Sequence, residues 1–417
     1  WVPRLYSTEI GLSLTVIGMV IFAAAIFDAV SDPAMGFLSD RLKTRWGRRK
    51  PWILFGVPLY AFAVWMLLNP SVGTTVVYLA FFFILLRLAT TVLGLPYAAW
   101  GVELSGEYHT RTMIQSAREK YVLSGLIVAS AIVLISEEVF ENRSASFVLS
   151  NFSWVIVTLL PLTAFLILWK VPEVPVRAAP PVSVFRSLVN MRKNGIFIRL
   201  LAIELLIAGA ENFRNTLSLF FVQDYIGADR VGRLYVIYFS VGLIAIPFWD
   251  WLAKKYGKHQ SLASAMVFVS IITIACFMLE YGQVLPFYAL FALKGFCFGA
   301  FAYLPRAMLA DVVDLDTVRT GTARPASYFA ILGFMTKCAA SFGGLSLPIL
   351  GLVGYQVARG ATNGPTELLW LGILYAIVPT IFFGIAFYLC ATWPLTASVH
   401  QRLQNLVERK QARYQTT

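Results

Sequence analysis

Long apolar runs follow one another through this chain with short polar links between them. A helix needs about 20 apolar residues to cross the roughly 30 Å hydrocarbon core of a bilayer. Inside lipid every backbone N–H and C=O must be paired within the protein, which leaves helices as the structure for runs of this kind. The runs predict spans over 13–38, 52–70, 74–100, 116–137, 151–171, 196–222, 231–252, 261–281, 284–310, 328–356 and 367–393. Residues 1–6 read as the last piece of a further helix, so the expectation is twelve membrane helices with the first mostly missing. Composition agrees: 58% of residues are hydrophobic and 13% charged, against about 25% charged in soluble domains. The fold class is therefore an all-α membrane protein.

The formal net charge of +12 is read by location rather than as a nucleic-acid footprint. About 25 of the 34 Lys and Arg fall in the links 39–51, 101–120, 170–199, 253–260 and 306–324 and in the tail, and about 5 in the alternate links. This bias puts those basic links and both termini on the cytoplasmic side of a bacterial-type inner membrane. The chain also repeats itself. Asp40 with Gly47 and a basic pair is echoed by Asp250 with Gly257 and Lys258; Leu95-Pro96 by Leu304-Pro305; Arg111-Thr112 by Arg319-Thr320. Three echoes at nearly one offset imply two parallel halves of six spans each, as in transporters that hold their cargo near the midplane. The domain expectation is a bundle over 1–171, a linker over 172–195, a second bundle over 196–393 and a tail over 394–417.

Charge inside a span is the functional signal, because a carboxylate there costs roughly 2.5–3.5 kcal/mol or more. Asp28 and Asp32 sit in the first full span, one helical turn apart and on one face. They read either as an ion or proton site on a transport path or as part of a structural ion pair. Arg87, at similar depth in the span over 74–100, is a charge partner for one of them. Lys337 lies about nine residues into its span, to be paired with these aspartates or with cargo oxygens, or else snorkelling. In the span over 196–222, Glu204, Glu211 and Asn215 share a face, which suggests a wet cavity; the alternative is a Glu211–Arg214 pair with no ligand role. Lys294 is a further cation within a span, with Glu204 and Glu211 as candidate partners. The four cysteines are expected to be free thiols. The three histidines fall far apart, in predicted loops or the tail. No metal cluster or catalytic triad is read from the sequence, and no cofactor is expected beyond a coupling ion.

The stretches D-A-V-S-D-P-A-M-G-F-L-S-D-R, W-G-R-R-K-P-W, P-Y-A-A-W-G-V-E-L, R-T-M-I-Q-S-A-R and A-D-V-V-D-L-D resemble the glycoside–pentoside–hexuronide cation symporters of the major facilitator superfamily. The resemblance covers nearly the whole chain except the central link and the tail. It implies the major facilitator fold in two six-helix bundles. It also implies that Asp28 and Asp32 bind the coupling cation, with Ser31 in the place of an asparagine ligand and Thr91 matching a threonine of the site. Such oxygens suit Na⁺, and the two carboxylates alone serve a proton as well; both remain open. Arg118 and Lys337 match basic residues lining the sugar and cation cavity. Gly94 and Ala98 depart from the pattern, replacing a sugar-binding aspartate and a tryptophan. Arg87 has the charge to displace a bound metal cation, which bears on Na⁺ against H⁺.

At the cytoplasmic corner 39–51, Asp40 with Arg48 and Arg49 reads as a charge latch. Asp311, Asp314 and Asp316 with Arg319 and Arg324 occupy the equivalent corner of the second half. Exposed pairs of this kind are worth about 0–1 kcal/mol each, which suits a gate that must cycle. The sequence thus points to a monomeric, cation-coupled symporter of a sugar, glycoside or sugar acid, with Glu211 and Asn215 joining Arg118 and Lys337 as candidate substrate contacts. The rivals are a lysophospholipid carrier with the same aspartates and a transport-inactive nutrient sensor of the same fold. Its partners are a small-molecule cargo and membrane lipid, not nucleic acid, and it is not expected to be an enzyme.

Overall fold

A computed structural model describes residues 1–41, 44–71, 73–104, 108–173, 194–320, 325–357 and 363–394. Among them every regular element is helical. A short N-terminal segment, helical over Val2–Arg4 and π-helical over Leu5–Glu9, precedes eleven long helices. These are α1 (Leu14–Arg41), α2 (Lys50–Leu68), α3 (Val76–Glu103), α4 (Tyr108–Glu138), α5 (Ala145–Lys170) and α6 (Gly195–Phe220). They continue with α7 (Val231–Tyr256), α8 (Lys258–Phe277), α9 (Val284–Thr320), α10 (Pro325–Leu352) and α11 (Pro365–Ala391). A π-helical turn extends α6 over Phe221–Tyr225, and another interrupts α11 over Ile373–Ile377.

Seven of these helices, α2, α3, α5, α7, α8, α9 and α11, are long and apolar enough to cross a membrane. The other four carry Asp28 and Asp32, Arg118, Glu211 and Lys337. All eleven expected spans are present as helices, but several run past their expected ends. α4 begins at Tyr108 rather than near 116, and α9 continues to Thr320 rather than stopping near 310. Hydropathy reports the part of a helix that suits lipid; helical hydrogen bonding continues into polar sequence wherever no breaker intervenes. The acids Asp311, Asp314 and Asp316 therefore ride on a helix and not on a loop. His259, expected in a loop, is buried in the first turn of α8.

Local chemistry sets the ends. The hydroxyls of Thr75 and Ser144 accept from Tyr78 N and Phe147 N to cap α3 and α5, and the Asn194 side chain caps α6 through Phe197 N. Gly257, at φ +99°, allows the break between α7 and α8. The described cysteines are all free, and three are buried.

The chain forms two compact units. The first comprises Trp1–Pro181, Ala228–Val236 and Gly343–Leu371; the second comprises Val182–Gly227, Ile237–Phe342 and Gly372–Thr417. In the first unit, Ile53, Val57, Trp100 and Ala164 form a core between α2, α3 and α5, and Tyr6 Oη donates to Leu67 O at 2.9 Å. α10 crosses α1 closely, for a Cβ on Gly344 would lie 2.7 Å from Phe22 N. In the second unit, α7 and α9 touch backbone to backbone, and a Cβ on Gly295 would lie 2.3 Å from Tyr238 O. Small residues at such crossings are how membrane helices approach one another.

Gly295→Val is therefore expected to force α7 and α9 apart and lower the thermal midpoint of the purified protein, at a cost of about 1–3 kcal/mol. Gly333→Ala, where an added Cβ meets nothing within 4 Å, should leave the midpoint unchanged. Equal midpoints for the two variants would overturn the assignment of a tight crossing.

Candidate functional site

α1 and α3 carry the candidate cation site, all of it in the first unit. Asp28 and Asp32 lie one turn apart on α1, and Thr91 faces them from α3. The Thr91 hydroxyl lies 2.9 Å from Asp28 Oδ1 and 2.9 Å from Asp32 Oδ1. Thr91 and Asp28 are buried, at 1% and 5% exposure; Asp32 is half-buried. Arg87, one turn before Thr91 on α3, places Nη1 4.0 Å from Asp28 Oδ2 and holds its guanidinium over the Phe83 ring. Ser31 Oγ donates to the Asp28 carbonyl at 3.2 Å, which leaves its lone pairs available as acceptors.

This geometry has a chemical consequence. A threonine hydroxyl has one proton and can donate to one carboxylate only. Its second 2.9 Å approach to a carboxylate oxygen needs something positive between the two oxygens. A proton on the second carboxyl supplies it, and so does a metal cation held by all three oxygens. A proton or a cation is what such an oxygen set can hold, beside Arg87 at the outer edge of ion-pair distance from Asp28.

At the corner between α1 and α2, a residue that sequence reasoning did not single out does the organising. The Glu173 carboxylate accepts the backbone N–H groups of Arg48, of Arg49 at 2.5 Å and of Lys50 at 3.2 Å. These are orphan donors at the start of α2, where a negative charge also meets the positive end of the helix dipole. Arg49, only 3% exposed, donates from Nη1 to Ser39 Oγ at 3.0 Å. The sequence signal for Glu173 was slight, a lone acid after Pro172. The side chains of Asp40 and Asp314, and Arg324, lie outside the described residues. Asp311 takes Lys258 Nζ at 2.6 Å, a partner in the first turn of α8; the side chain of Arg319 also lies outside the described residues.

A second polar group lies in the second unit. Glu211, 8% exposed, receives the Arg214 guanidinium, whose Nη2 is 2.7 Å from both carboxylate oxygens. Arg214 also reaches Thr273 Oγ1 at 3.4 Å. Asn215 is exposed, so it does not share the buried setting of Glu211. Glu204 accepts the Thr336 hydroxyl at 2.9 Å. The expected pairing of Lys294 with Glu204 or Glu211 is not what forms: Lys294 Nζ donates to Tyr375 Oη at 2.5 Å. The carboxylates are engaged elsewhere, Glu211 by an i,i+3 arginine on its own helix and Glu204 by the Thr336 hydroxyl on α10. Arg118 on α4 and Lys337 on α10 are both half-buried.

The C-terminal end of α4 carries a cluster that the sequence did not announce. The buried Glu137 accepts Val231 N at 3.1 Å and Gly232 N at 2.7 Å. Glu138 pairs with Arg230 at 2.8 Å and Arg233 at 2.7 Å, and Arg143 with Asp229 at 3.2 Å. Gly232 is packed so closely that a Cβ would lie 2.4 Å from Leu134 N.

A family model described as MFS/sugar transport protein matches residues 2–397. A putative glycoside/cation symporter of Escherichia coli (strain K12) is 24% identical, covering 98% of this chain and 90% of its own length. A sodium-dependent lysophosphatidylcholine symporter of Danio rerio is also 24% identical, covering 93% of this chain and 82% of its own. Among solved structures, a bacterial homolog of the human lysosomal transporter Spinster superposes with a TM-score of 0.67 at 13% identity, over 95% of this chain and 94% of that one. The family model and this likeness of fold together show the major facilitator fold.

Two expectations follow from the geometry. Thr91→Val keeps the shape but removes the oxygen between the aspartates, so half-saturation by the coupling cation should weaken at least tenfold, while Thr91→Ser stays near wild type; cation titration of transport rate checks both. Glu173→Ala removes the cap of α2 and should cost roughly 0.5–2 kcal/mol, read as a lower thermal midpoint in detergent.

Proposed function

We propose that this chain, which belongs to the MFS/sugar transport family, is a cation-coupled symporter that carries a sugar, glycoside or sugar acid inward by alternating access. It is a multi-pass membrane protein, with seven described helices long and apolar enough to span. The observation that carries the reading is the Asp28–Thr91–Asp32 oxygen set with Arg87 beside it. Two carboxylates held in a helical span against one hydroxyl make sense as a place where an ion binds and leaves. The glycoside/cation symporter among its relatives supports the cargo class. Uptake directed to the cytoplasm of a bacterial-type inner membrane, cytoplasmic termini and action as a monomer belong to the same proposal.

In this reading Asp28, Asp32, Thr91 and Ser31 hold Na⁺ or H⁺, and Arg118, Lys337, Glu211 and Asn215 contact cargo. Arg48, Arg49 and Asp311, with Asp40 and Asp314, work the inner gate. Because Arg87 already contributes one positive charge at Asp28, a proton is favoured over Na⁺ as the coupling ion. The bundles are proposed to divide at the link 172–195.

A second reading has a specific observation behind it. Gly94 stands where sugar-carrying relatives of the family pattern place an acid, and the space beside its α-carbon is open, with nothing within 4 Å of an added Cβ. Open space in place of an acid removes a polar contact that a sugar would use, and the lysophosphatidylcholine symporter among the relatives fits a less polar cargo.

Proteoliposomes loaded against separate Na⁺ and H⁺ gradients, offered labelled glycosides, uronates and lysophospholipids, decide between the two. One cargo class should accumulate uphill with one gradient. Asp32→Asn should abolish that accumulation while cargo exchange without a gradient survives. Full gradient-driven accumulation in Asp32→Asn would remove the ion site from the mechanism.

A further inference from the structure

We propose that Lys294 and Tyr375 form a second proton-binding site, in the second unit and built on chemistry different from that of the aspartate pair. Lys294 lies in the membrane-spanning part of α9 and is 1% exposed. Its ammonium donates to Tyr375 Oη and lies 4.5 Å from the Tyr375 ring centroid and 5.1 Å from that of Phe291. Among the described residues no carboxylate comes within ion-pair distance of it. Aromatic faces and one hydroxyl are a weak setting for a full positive charge out of water, whose burial costs far more than one neutral hydrogen bond returns.

The charges around it sharpen the point. Within electrostatic reach are Glu211 and Arg214 on α6, Cys276 on α8 and Cys297 on α9 itself; Tyr238 on α7 and Tyr375 on α11 complete the set around Arg214. Glu211 and Arg214 neutralise each other through the bidentate pair. With neutral thiols and phenols, a charged Lys294 leaves the cluster one positive charge in surplus. Arginine does not give up its proton in proteins, so the surplus can leave only from Lys294. A lysine amine serves this purpose because its protonation responds readily to burial. The neutral amine keeps the Tyr375 bond with the roles exchanged: the phenol donates and the amine accepts.

A second, independent feature marks the same place. Tyr375 sits in the π-helical turn Ile373–Ile377 and stacks on Phe221 at a centroid distance of 3.9 Å. Phe221 opens the other π-helical turn, Phe221–Tyr225, and stacks in turn on Tyr225 at 4.6 Å. π-Turns are frequent at functional positions; one of these turns supplies the phenol that meets Lys294, and the other supplies the ring stacked on that phenol. Near-complete burial leaves no room for an anionic cargo at the ammonium in this state, so the ligand is the proton. Water reaching the amine in another state of the cycle would let it charge; reburial would release the proton. Protonation itself stands independent of the cargo, and only its use in coupling rests on the symporter reading.

The test uses the purified full chain in detergent and the proton as ligand. If buried Lys294 is neutral, unfolding takes up a proton wherever free lysine is charged. Stability attributable to it therefore rises with pH up to about 10.4. The wild-type thermal midpoint should climb several degrees relative to Lys294→Met between pH 7 and pH 9. Lys294→Arg, which must bury a permanent charge, should melt lower than both at pH 7. Parallel pH curves for wild type and Lys294→Met, or an arginine variant as stable as wild type, would overturn the proposal by making Lys294 a fixed structural cation. Failure of the cargo screen with the expected pH curves would leave the proton site standing and remove only the symport reading.

Discussion

The cost of holding charge away from water organises this molecule. Each buried charged group described has at least one polar partner, and the partners differ in kind and in how well they meet that cost. Arg214 has a bidentate carboxylate three residues away on its own helix. Arg49 has a serine hydroxyl across the corner between α1 and α2. Asp28 shares a threonine with Asp32 and has a guanidinium at 4.0 Å. Lys294 has a phenol and ring faces. A bidentate pair is a settled arrangement and resists exchange. A threonine between two carboxylates and an ammonium against a phenol are unsettled by comparison, and the smallest correction available to each is one proton.

The fold was legible because lipid reduces the choices. Apolar runs of this length allow helices only, and among the described residues all eleven runs are helical. Their ends were less legible, since α9 and α4 continue through polar sequence that hydropathy treats as loop. Asp28 and Asp32 were found by being charged at i, i+4 in a span, and Thr91 through the family pattern; their meeting at 2.9 Å joins helices 59 and 63 residues apart in sequence. The Glu211–Arg214 pair was within reach of local reasoning because i,i+3 neighbours face each other. Glu173, Glu137 and Tyr375 were not. Each acts across a long separation, on backbone N–H groups or through a hydroxyl, and sequence gives no complementary charge to search for. Lys294 shows the limit well: looking for a carboxylate was reasonable electrostatics, and the answer was a tyrosine.

The two ends of the first unit solve one problem in the same way. Glu173 gathers the N–H groups that open α2, and Glu137 gathers those that open α7. In both cases a carboxylate from one segment supplies what another helix lacks at its start. The bond is charge-assisted yet uses no cation side chain. Basic residues nearby, Arg230 and Arg233 at one end and Lys50 at the other, remain available for pairs of their own.

The length of α9 sets how motion travels through the second unit. Its 37 residues make about 55 Å of helix at 1.5 Å per residue, and the hydrocarbon core is about 30 Å deep. The remainder overhangs the membrane as a lever whose far part carries Asp311. A tilt of about ten degrees at mid-membrane would swing Asp311, about 25 Å from the pivot, by about 4 Å. Lys258, at the start of α8, grips that lever at 2.6 Å, far less slack than such a swing requires. α8 and α9 must therefore lean together or let go of each other, so the clamp determines whether the second unit moves as one piece.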